Sequence, residues 1–365
     1  MEFTYRRDSI IMNVIKAINS PIAFTVNSII DPLFKMTVDT TQAGSASDTF
    51  VLNLQTGVTN MTVHWGDGNS DLITTYNQAE LTHVYTVGGT YQISLDGSFT
   101  GFLYQTGDKL KISSIDNWGT NAFSKMNYAF SGCSNMVLNA TDEPDMLGCI
   151  TLSNMFSGCS SLNSEINFST TSNVTIFTNF LYGCTSLNSN VTLNTDSAIT
   201  FASMFFGNTV FNSNVTFSNT SNVGTFIQMF MSCPVFNKPL TFDCSSLTTT
   251  YRMFLYAYGF NSAVNFTNTS ILSNAFQMFR DASSFDQDIS AFDITSLTNA
   301  TGMLQNSSFS TANYDLLLPA WDAYGTSNVP FHAGTAQYAA APSAPATAHA
   351  AMLGRGWTIL DGGPI

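Results

Sequence analysis

A short motif returns eight times between residues 126 and 310, at intervals of 24 to 26 residues. It usually consists of a Met-Phe pair with an Asn seven positions after the Phe, as in Phe156 with Asn163 and Phe205 with Asn212. Units of this length cannot bury their apolar residues alone, and they form a core only by stacking on their neighbours. The repeat therefore restricts this part of the chain to an array of similar units.

Two positions of the motif are expected to have structural roles. The apolar residue that ends the Met-Phe pair is predicted to be buried, and the Asn is predicted to hydrogen-bond to the backbone of the adjacent unit. Segments such as Val191-Thr192-Leu193 alternate apolar and polar residues and predict one strand per unit. The buried residues are Phe156, Leu181, Phe205, Phe230, Phe254 and Phe279, and the ladder residues are Asn163, Asn188, Asn212, Asn237 and Asn261, with Asp286 last.

The units resemble the BspA-like leucine-rich repeat, in which Met-Phe, a small residue or Cys, and Phe-Asn recur at this period. The resemblance covers roughly residues 120–310. Most units lack the Trp-Asp of that family and keep only Phe292-Asp293 in its place, so the outer face is expected to differ. Residues 311–365 look like the C-terminal cap of such repeats, which covers the last apolar unit. The resemblance implies a leucine-rich-repeat solenoid with a capped end.

A different pattern occupies residues 34–100, where segments such as 49–54 and 61–65 alternate apolar and polar residues and end in turns, as strands do. A Trp-Gly-Asp-Gly turn and a His-Tyr-Gly-Tyr pattern follow, formed by Trp65, Gly66, Asp67, Gly68, His83, Tyr85, Gly89 and Tyr91. At these residues the chain resembles a polycystic-kidney-disease-type (PKD) domain. The resemblance implies a small Ig-like β-sandwich in which Trp65 and Tyr91 contribute large buried area.

These patterns predict a mainly β protein, with a small Ig-like (PKD-type) β-sandwich followed by a leucine-rich-repeat solenoid and a C-terminal cap. The expected domains are an N-terminal arm over 1–33 that is a candidate docking segment, the sandwich over 34–100, a linker and N-terminal cap over 101–125, the repeats over 126–310, and the cap over 311–365.

An alternative interpretation of the Trp-Gly-Asp-Gly turn is a calcium site. Asp67, Asn69 and Asp71 alternate as in the first half of an EF-hand loop, but no later Glu completes the ligand set. A structural turn, in which Asp67 accepts amide hydrogen bonds, is favoured. His64 and His83 lie on predicted strands, where packing is favoured over metal binding. No metal or cofactor site is therefore predicted.

The cysteines follow the repeat, since four of the six share one position of the motif: Cys133, Cys159, Cys184 and Cys233. Asn208, Ala257 and Ala282 fill that position in other units, which indicates a small buried residue. Free buried thiols are therefore favoured over a disulfide network. Zinc is disfavoured because the spacing lacks close Cys pairs and includes no His.

Charge is sparse, and its balance bears on the class of partner. The chain has 11 Lys and Arg against 24 Asp and Glu, a formal net charge of −13, with only 10% charged residues. This balance repels a phosphate backbone, so nucleic acid is not an expected partner. The abundance of uncharged polar residues instead favours a β-rich extracellular or virion protein.

The first residues contain neither a clear signal peptide nor a membrane span. The apolar stretch after Arg7 is interrupted by Asn13, Lys16 and Pro21, and no segment reaches the roughly 18 apolar residues of a membrane helix. Ile11, Ile15 and Ile18 recur at helical spacing. The interpretations left open are an amphipathic helix that docks on another chain or on this one, and a strand or loop packed on its own chain.

No catalytic motif accompanies these features. Asp142, Glu143 and Asp145 form the densest acidic cluster, for which a solvated loop is favoured over a cation site. There is no nucleophile elbow, phosphate loop or metal cluster, so a non-enzymatic protein is expected.

The favoured function is a structural or surface component of a bacteriophage virion, as a tail fibre, head fibre or capsid decoration. A PKD-like domain with capped repeats and no clear secretion signal is similar to proteins encoded by tailed bacteriophages and their hosts. Expected partners are other capsid or tail proteins and a host cell-surface protein or glycan, with the chain homo-oligomeric or in many copies. A secreted BspA-like adhesin on the bacterial cell surface is the alternative. A glycan-cleaving tailspike is third, because it would require paired carboxylates in a groove.

Overall fold

Short strands joined by turns make up most of the protein, for which a computed structural model describes residues 31–365. Pro32–Ile365 forms one compact unit. The predicted docking arm over 1–33, including Ile11, Ile15 and Ile18, falls outside the described residues except at its last positions. The strands before the repeats are β1 (Phe34–Asp39), β2 (Thr49–Val51), β3 (Val58–His64), β4 (Ser70–Thr75), β5 (Thr82–Val84), β6 (Thr90–Phe99) and β7 (Ile112–Asn117).

A six-stranded sheet runs from this N-terminal part into the first repeat. Its order is β4-β3-β6-β1-β7-β8, where β8 is Val137–Leu138, and its pairs are antiparallel except β7 with β8. Along β1, Phe34, Met36 and Val38 are buried and the residues between them are partly exposed, as the two-residue period of a strand requires. β2 and β5 form a separate two-stranded sheet.

Two buried ionisable residues, Lys111 and Asp108, anchor the segment that leads into β2. Lys111 Nζ donates to the carbonyl oxygens of Ala46 (2.7 Å) and Thr49 (2.7 Å), and Asp108 accepts hydrogen bonds from the backbone N–H groups of Ser45 (2.6 Å) and Val51 (2.7 Å). Both charged residues have no exposed surface. Charges this deeply buried persist only when hydrogen bonds replace their hydration, so these contacts hold the 45–51 segment in place.

The repeat units lie side by side and pair in parallel. Each of five units contributes one short strand: β9 (Ile166–Phe168), β10 (Val191–Leu193), β11 (Val215–Phe217), β12 (Leu240–Asp243) and β13 (Val264–Thr267). Val191 stands opposite Ile166 on one side and Val215 on the other, so equivalent residues of successive units are in register. Isolated parallel bridges from Thr151 to Asn299 continue the same pairing elsewhere in the unit.

Two residues in every unit adopt the left-handed backbone conformation. The first precedes the Met-Phe pair, with φ between 54° and 58° in the seven units from Tyr128 to Gln277 and Gly302 at the eighth position. The second column is Gly132, Gly158, Gly183, Gly207, Ser232, Tyr256, Asp281 and Asn306, with φ from 58° to 76°. Outside glycine this conformation costs roughly 1–2 kcal/mol. These positions turn the chain sharply on either side of the Met-Phe pair.

Aromatic rings stack along the array. Phe205, Phe230, Phe254 and Phe279 are fully buried, with successive ring centroids 5.1–5.7 Å apart and ring planes within 5° of parallel. A second column contains Phe211, Phe236, Phe260 and Phe285 at 5.6–6.0 Å. Such pairs add about 0.5–1.5 kcal/mol beyond the area they bury. The stack therefore makes each unit depend on its neighbours for stability.

The C-terminal segment contains helices α1 (Thr311–Asp322) and α2 (Ala344–Gly354) and the parallel strands β14 (Pro330–His332) and β15 (Thr358–Leu360). The side chains of Ser310 and Ser343 cap the two helices by accepting hydrogen bonds from backbone N–H groups of their first turns. Trp321, Phe331 and Trp357 pack together beneath them, with centroids 5.3–6.5 Å apart.

The predicted fold class, a mainly β protein with an Ig-like β-sandwich, a leucine-rich-repeat solenoid and a cap, is wrong. The strands of residues 31–365 form five small sheets, and the two α-helices of these residues lie in the C-terminal segment. β11 and β12 belong to different sheets, so no sheet runs through all the units. The repeat strands β9 to β13 have only three or four residues each, and β8 of the first unit pairs with β7 of the N-terminal sheet. The domain boundaries stay predictions.

We expect Phe254→Ala to lower the free energy of unfolding by about 3–5 kcal/mol, because it removes a fully buried ring from the middle of the stack and leaves a cavity. Urea denaturation followed by circular dichroism measures the loss. Tyr258→Ala is the control, since Tyr258 is 50% exposed and its removal should change stability by no more than about 0.5 kcal/mol. Equal losses in the two variants would contradict the role of the stack.

Candidate binding surfaces

The Trp-Gly-Asp-Gly turn forms a closed network of side chains. His83 stacks on the Trp65 ring (centroids 4.7 Å apart, planes 4° from parallel), and its Nε2 lies 2.9 Å from an Asp67 carboxylate oxygen. Trp65 Nε1 donates to Asp71 (2.8 Å), and the Tyr85 hydroxyl donates to the Trp65 carbonyl oxygen (3.0 Å). The two tight-turn glycines have φ of 86° and 95°. The turn therefore functions as a packing element.

The remaining residues of the predicted PKD-like motif lie beside this network. The Tyr91 ring stacks on Tyr85 with a centroid distance of 3.8 Å, and its hydroxyl donates to the Val87 carbonyl oxygen (2.5 Å). Beyond the end of β1 the Thr40 backbone N–H donates to the Gly89 carbonyl oxygen, and the Gly89 N–H donates to the Thr40 side-chain hydroxyl oxygen. The structure thus brings the predicted motif residues together around the base of the N-terminal sheet.

The alternative calcium interpretation of this turn receives no support from the side-chain arrangement. Burial raises the pKa of Asp67, but hydrogen bonds from His83 and Asn69 outweigh it and leave the pKa below its ordinary value. The Asp71 carboxylate accepts from Trp65 instead of facing Asp67 and Asn69. In residues 31–365 no three His, Cys, Asp or Glu side chains are grouped so as to hold a metal ion.

The predicted asparagine positions form one continuous ladder. Each side-chain Oδ1 accepts a hydrogen bond from the backbone N–H of the equivalent residue in the next unit, at 2.7–2.9 Å. The ladder residues are Asn163, Asn188, Asn212, Asn237 and Asn261, and Asp286 follows as the last side chain. Asp286 in turn accepts from the Ser310 backbone N–H (2.8 Å), at the start of α1. The ladder fixes the register of adjacent units and passes it to the C-terminal segment.

We expect Asn237→Ala to lower the free energy of unfolding by about 1–2 kcal/mol, because the Asn261 N–H and the Ser262 hydroxyl lose their acceptor. Chemical denaturation provides the measurement. Asn237→Asp retains the acceptor oxygen, as Asp286 does naturally, and should recover most of the loss. If the Asp variant were as unstable as the Ala variant, the ladder bond would not be the cause.

The cysteine column lies inside the array. All six cysteines are free and buried, and the thiols of Cys159, Cys184 and Cys233 donate to carbonyl oxygens of the preceding units at 2.9–3.1 Å. Burial raises the pKa of Cys184 and Cys233 to about 12. Asn208, in the same column, is fully buried with no hydrogen-bond partner for its amide. This position of the repeat is therefore a buried site that accommodates small side chains.

The folded protein should resist thiol reagents. With a pKa near 12, the thiolate fraction of Cys184 or Cys233 at pH 8 is on the order of 10⁻⁴, and burial blocks access as well. Mass spectrometry after iodoacetamide treatment at pH 8 should show no labelling of the native chain and six labels in 6 M guanidinium (roughly the range that unfolds even hyperstable domains). Raising the pH increases thiolate, so labelling of the native chain should grow only in strongly alkaline buffer. Rapid labelling at pH 8 would contradict the buried column.

Two residues of the predicted acidic cluster, Asp142 and Glu143, line a cavity of about 490 Å³ next to Trp118, together with Glu165, whereas Asp145 does not line it. Asp142 accepts hydrogen bonds from the backbone N–H groups of Trp118 and Gly119, and Glu143 accepts from the Ser169 backbone and hydroxyl. These carboxylates anchor neighbouring loops. A glycosidase needs two carboxylates that face its substrate, and two of the three carboxylates that line this cavity are instead held by backbone and hydroxyl donors, which counts against cleavage there.

Another surface was not anticipated from the sequence. The residue after the Met-Phe pair is serine in the first two units and Arg280 or Gln305 in the last two, but in the third to sixth units it is apolar or aromatic. These four residues are Tyr182, Phe206, Met231 and Leu255, of which Leu255 is buried. The Tyr182 and Phe206 rings stack face to face (4.8 Å, 9°), and Val210 and Val235 are each 45% exposed. Beside them Thr209, Ser232, Pro234, Tyr256 and Tyr258 line a depression of about 260 Å³, the tyrosine pocket. The sequence contains one sign of this surface, because Tyr256 occupies a repeat position at which four other units have glycine.

These features define a repeat protein with a buried column of stacked rings, an asparagine ladder at its surface and a variable outer edge. Three segments of the chain, residues 99–193, 150–241 and 240–331, match the model of the family described as "Mycoplasma protein of unknown function, DUF285". Together they span residues 99–331, more than half of the chain, and the protein belongs to this family. The match begins at residue 99, so the PKD-like character of residues 34–100 stays a prediction.

No curated protein and no solved structure shows significant similarity to the chain. Within residues 31–365, neither helix has the length and apolar character that would let it cross a bilayer.

Proposed function

We propose that the protein is a non-enzymatic recognition protein displayed on a biological surface, and that it contacts its partner through the outer edge of the third to sixth units. The exposed aromatic and aliphatic residues of that edge, among them Tyr182, Tyr256 and Tyr258, carry the proposal. Exposed apolar residues that cluster on one surface mark interaction sites more often than scattered ones do. Tyrosine combines a large apolar ring with a polar hydroxyl and is enriched at recognition surfaces.

The scaffold supports this role because its outer residues are independent of its core. The ring stack and the asparagine ladder hold each unit in place through side chains that point elsewhere. The edge can therefore change from serine in the first two units to tyrosine or phenylalanine in the third and fourth without loss of packing. A rigid support of this kind lowers the entropy lost when a surface binds its partner.

A bacteriophage virion is the first proposed carrier, with the chain as a tail fibre, head fibre or capsid decoration. The resemblance of residues 34–100 to a PKD domain, joined to repeats that resemble BspA-like units, supports this setting. Other virion proteins would then be the assembly partners. A host protein or glycan would be the recognised ligand, and multiple copies would raise the overall avidity of attachment.

The bacterial cell surface is the second carrier, with the chain as an adhesin. The family description, which refers to Mycoplasma proteins, favours this alternative. Both carriers require the same exposed edge, and they differ in the structure to which the protein is attached.

Quantitative mass spectrometry of purified phage particles and washed cell envelopes should separate the carriers. We expect peptides from residues 34–100 and 126–310 in fixed ratio to the major capsid protein if the chain is a virion component. Recovery from envelopes alone would establish the adhesin. Recovery of the protein only from the soluble cell fraction would contradict the proposal of surface display.

A further inference from the structure

Tyr256 adopts a left-handed backbone conformation at a position where the fold does not require a tyrosine side chain. Its φ is 62°, in the column where four units have glycine. At Gly183 and Gly207 an added Cβ atom would meet no atom within 4 Å, so these positions of the column have space for a side chain. Tyr256 is 38% exposed and adds no buried ring to the core. A bulky residue in a strained conformation without gain in packing is a candidate for a functional role, and its surroundings indicate which role.

The surroundings of Tyr256 form a small concave site. Tyr258 lies beside it with a ring centroid distance of 6.2 Å and is 50% exposed. Pro234 forms one wall, and the hydroxyl-bearing residues Thr209 and Ser232 complete the lining. At about 260 Å³ the tyrosine pocket is smaller than the roughly 300–1,000 Å³ typical of sites for drug-sized ligands. Its size suits one ring rather than an extended peptide.

The uncharged lining of the tyrosine pocket restricts the chemical class of ligand that it can bind. The five lining residues include no acidic or basic side chain. Arg280 and Asp281 in the next unit pair with each other, with Arg280 Nε 3.2 Å from Asp281 Oδ2. An anionic sugar, a phosphate or a charged peptide would find no counterion in the lining. Hydroxyl groups and uncharged aromatic faces complement a ligand that is itself neutral and rich in hydroxyls.

We infer that the tyrosine pocket binds a neutral pyranose, as a terminal or internal residue of a surface glycan. The tyrosine rings offer their negative π faces to the weakly positive C–H groups of a sugar ring, and Thr209 and Ser232 exchange hydrogen bonds with its hydroxyls. The inference rests on the proposed recognition function and specifies its ligand. A protein partner would need a contact of about 800 Å² on each side and would have to cover the outer edge beyond this depression, whereas one sugar ring needs only the pocket.

The test uses the full-length chain on an array of immobilised neutral, sialylated and sulfated glycans, with apolar peptides on the same array. We expect binding to a subset of neutral glycans only. Titration of the best glycan against protein with ¹³C-labelled tyrosine rings should shift the Tyr256 and Tyr258 resonances. Binding confined to anionic glycans or to peptides, or no binding to any glycan, would overturn the inference.

Two variants and one control connect the binding to the pocket. Tyr256→Gly restores the glycine of the column, so the melting temperature should be unchanged or higher while glycan affinity falls on the order of tenfold or more. Tyr258→Ser should show a similar loss of affinity. Asn306→Gly changes another left-handed residue of the same column, outside the pocket, and should leave affinity unchanged. Full affinity in both tyrosine variants would overturn the assignment of the site.

The same measurements show whether the ligand assignment or the proposed function is wrong. If the chain binds no neutral glycan on the array but is recovered from particles or envelopes, the assignment of a pyranose ligand is wrong and surface display stands. If neutral glycans bind through Tyr256 but the chain is found only in the soluble cell fraction, the pocket assignment stands and surface display is wrong.

Discussion

Backbone hydrogen bonds between successive repeat units are the interaction on which the rest of the structure depends. The N–H groups of Phe156, Phe205, Phe230 and Phe254 each donate to a carbonyl oxygen of the following unit at 2.8–3.0 Å. This spacing brings the phenylalanine rings into stacking distance, and it places each asparagine opposite the next unit's N–H group. Core, register and outer edge therefore follow from one pairing repeated along the array.

The repeat could be recognised in the sequence because each unit makes the same contacts with its neighbours, so the same residue types recur at the same positions. Phe254 and Asn237 were predicted to be a core residue and a ladder residue, and they lie in the ring stack and in the ladder. The left-handed columns were not predicted, since Gln228 or Arg252 gives no local sign of positive φ. The repeat strands have only three or four residues each and β11 does not pair with β12, so the predicted continuous solenoid was wrong.

The N-terminal part shows a second limit of sequence reasoning. Trp65, Asp67 and His83 were chosen for a motif, and their network follows from the turn that the motif encodes. Asp108 and Lys111 belong to no motif, and they hold the 45–51 segment through contacts more than 55 residues away in the chain. The tyrosine pocket was missed for a related reason, because Thr209, Ser232 and Tyr256 come from three different units and meet only after the units stack.

The asparagine ladder has a direction, and its direction determines how the array can change in length. Every side chain accepts from the unit that follows it, so the final acceptor needs a donor that no repeat provides. The Ser310 N–H at the start of α1 supplies that donor to Asp286. A unit duplicated or deleted within the array meets identical donors and acceptors on both sides. Whole units can therefore be added or removed within the array without breaking the ladder. At its C-terminal end the last acceptor, Asp286, is already occupied by Ser310, so no unit can be added there.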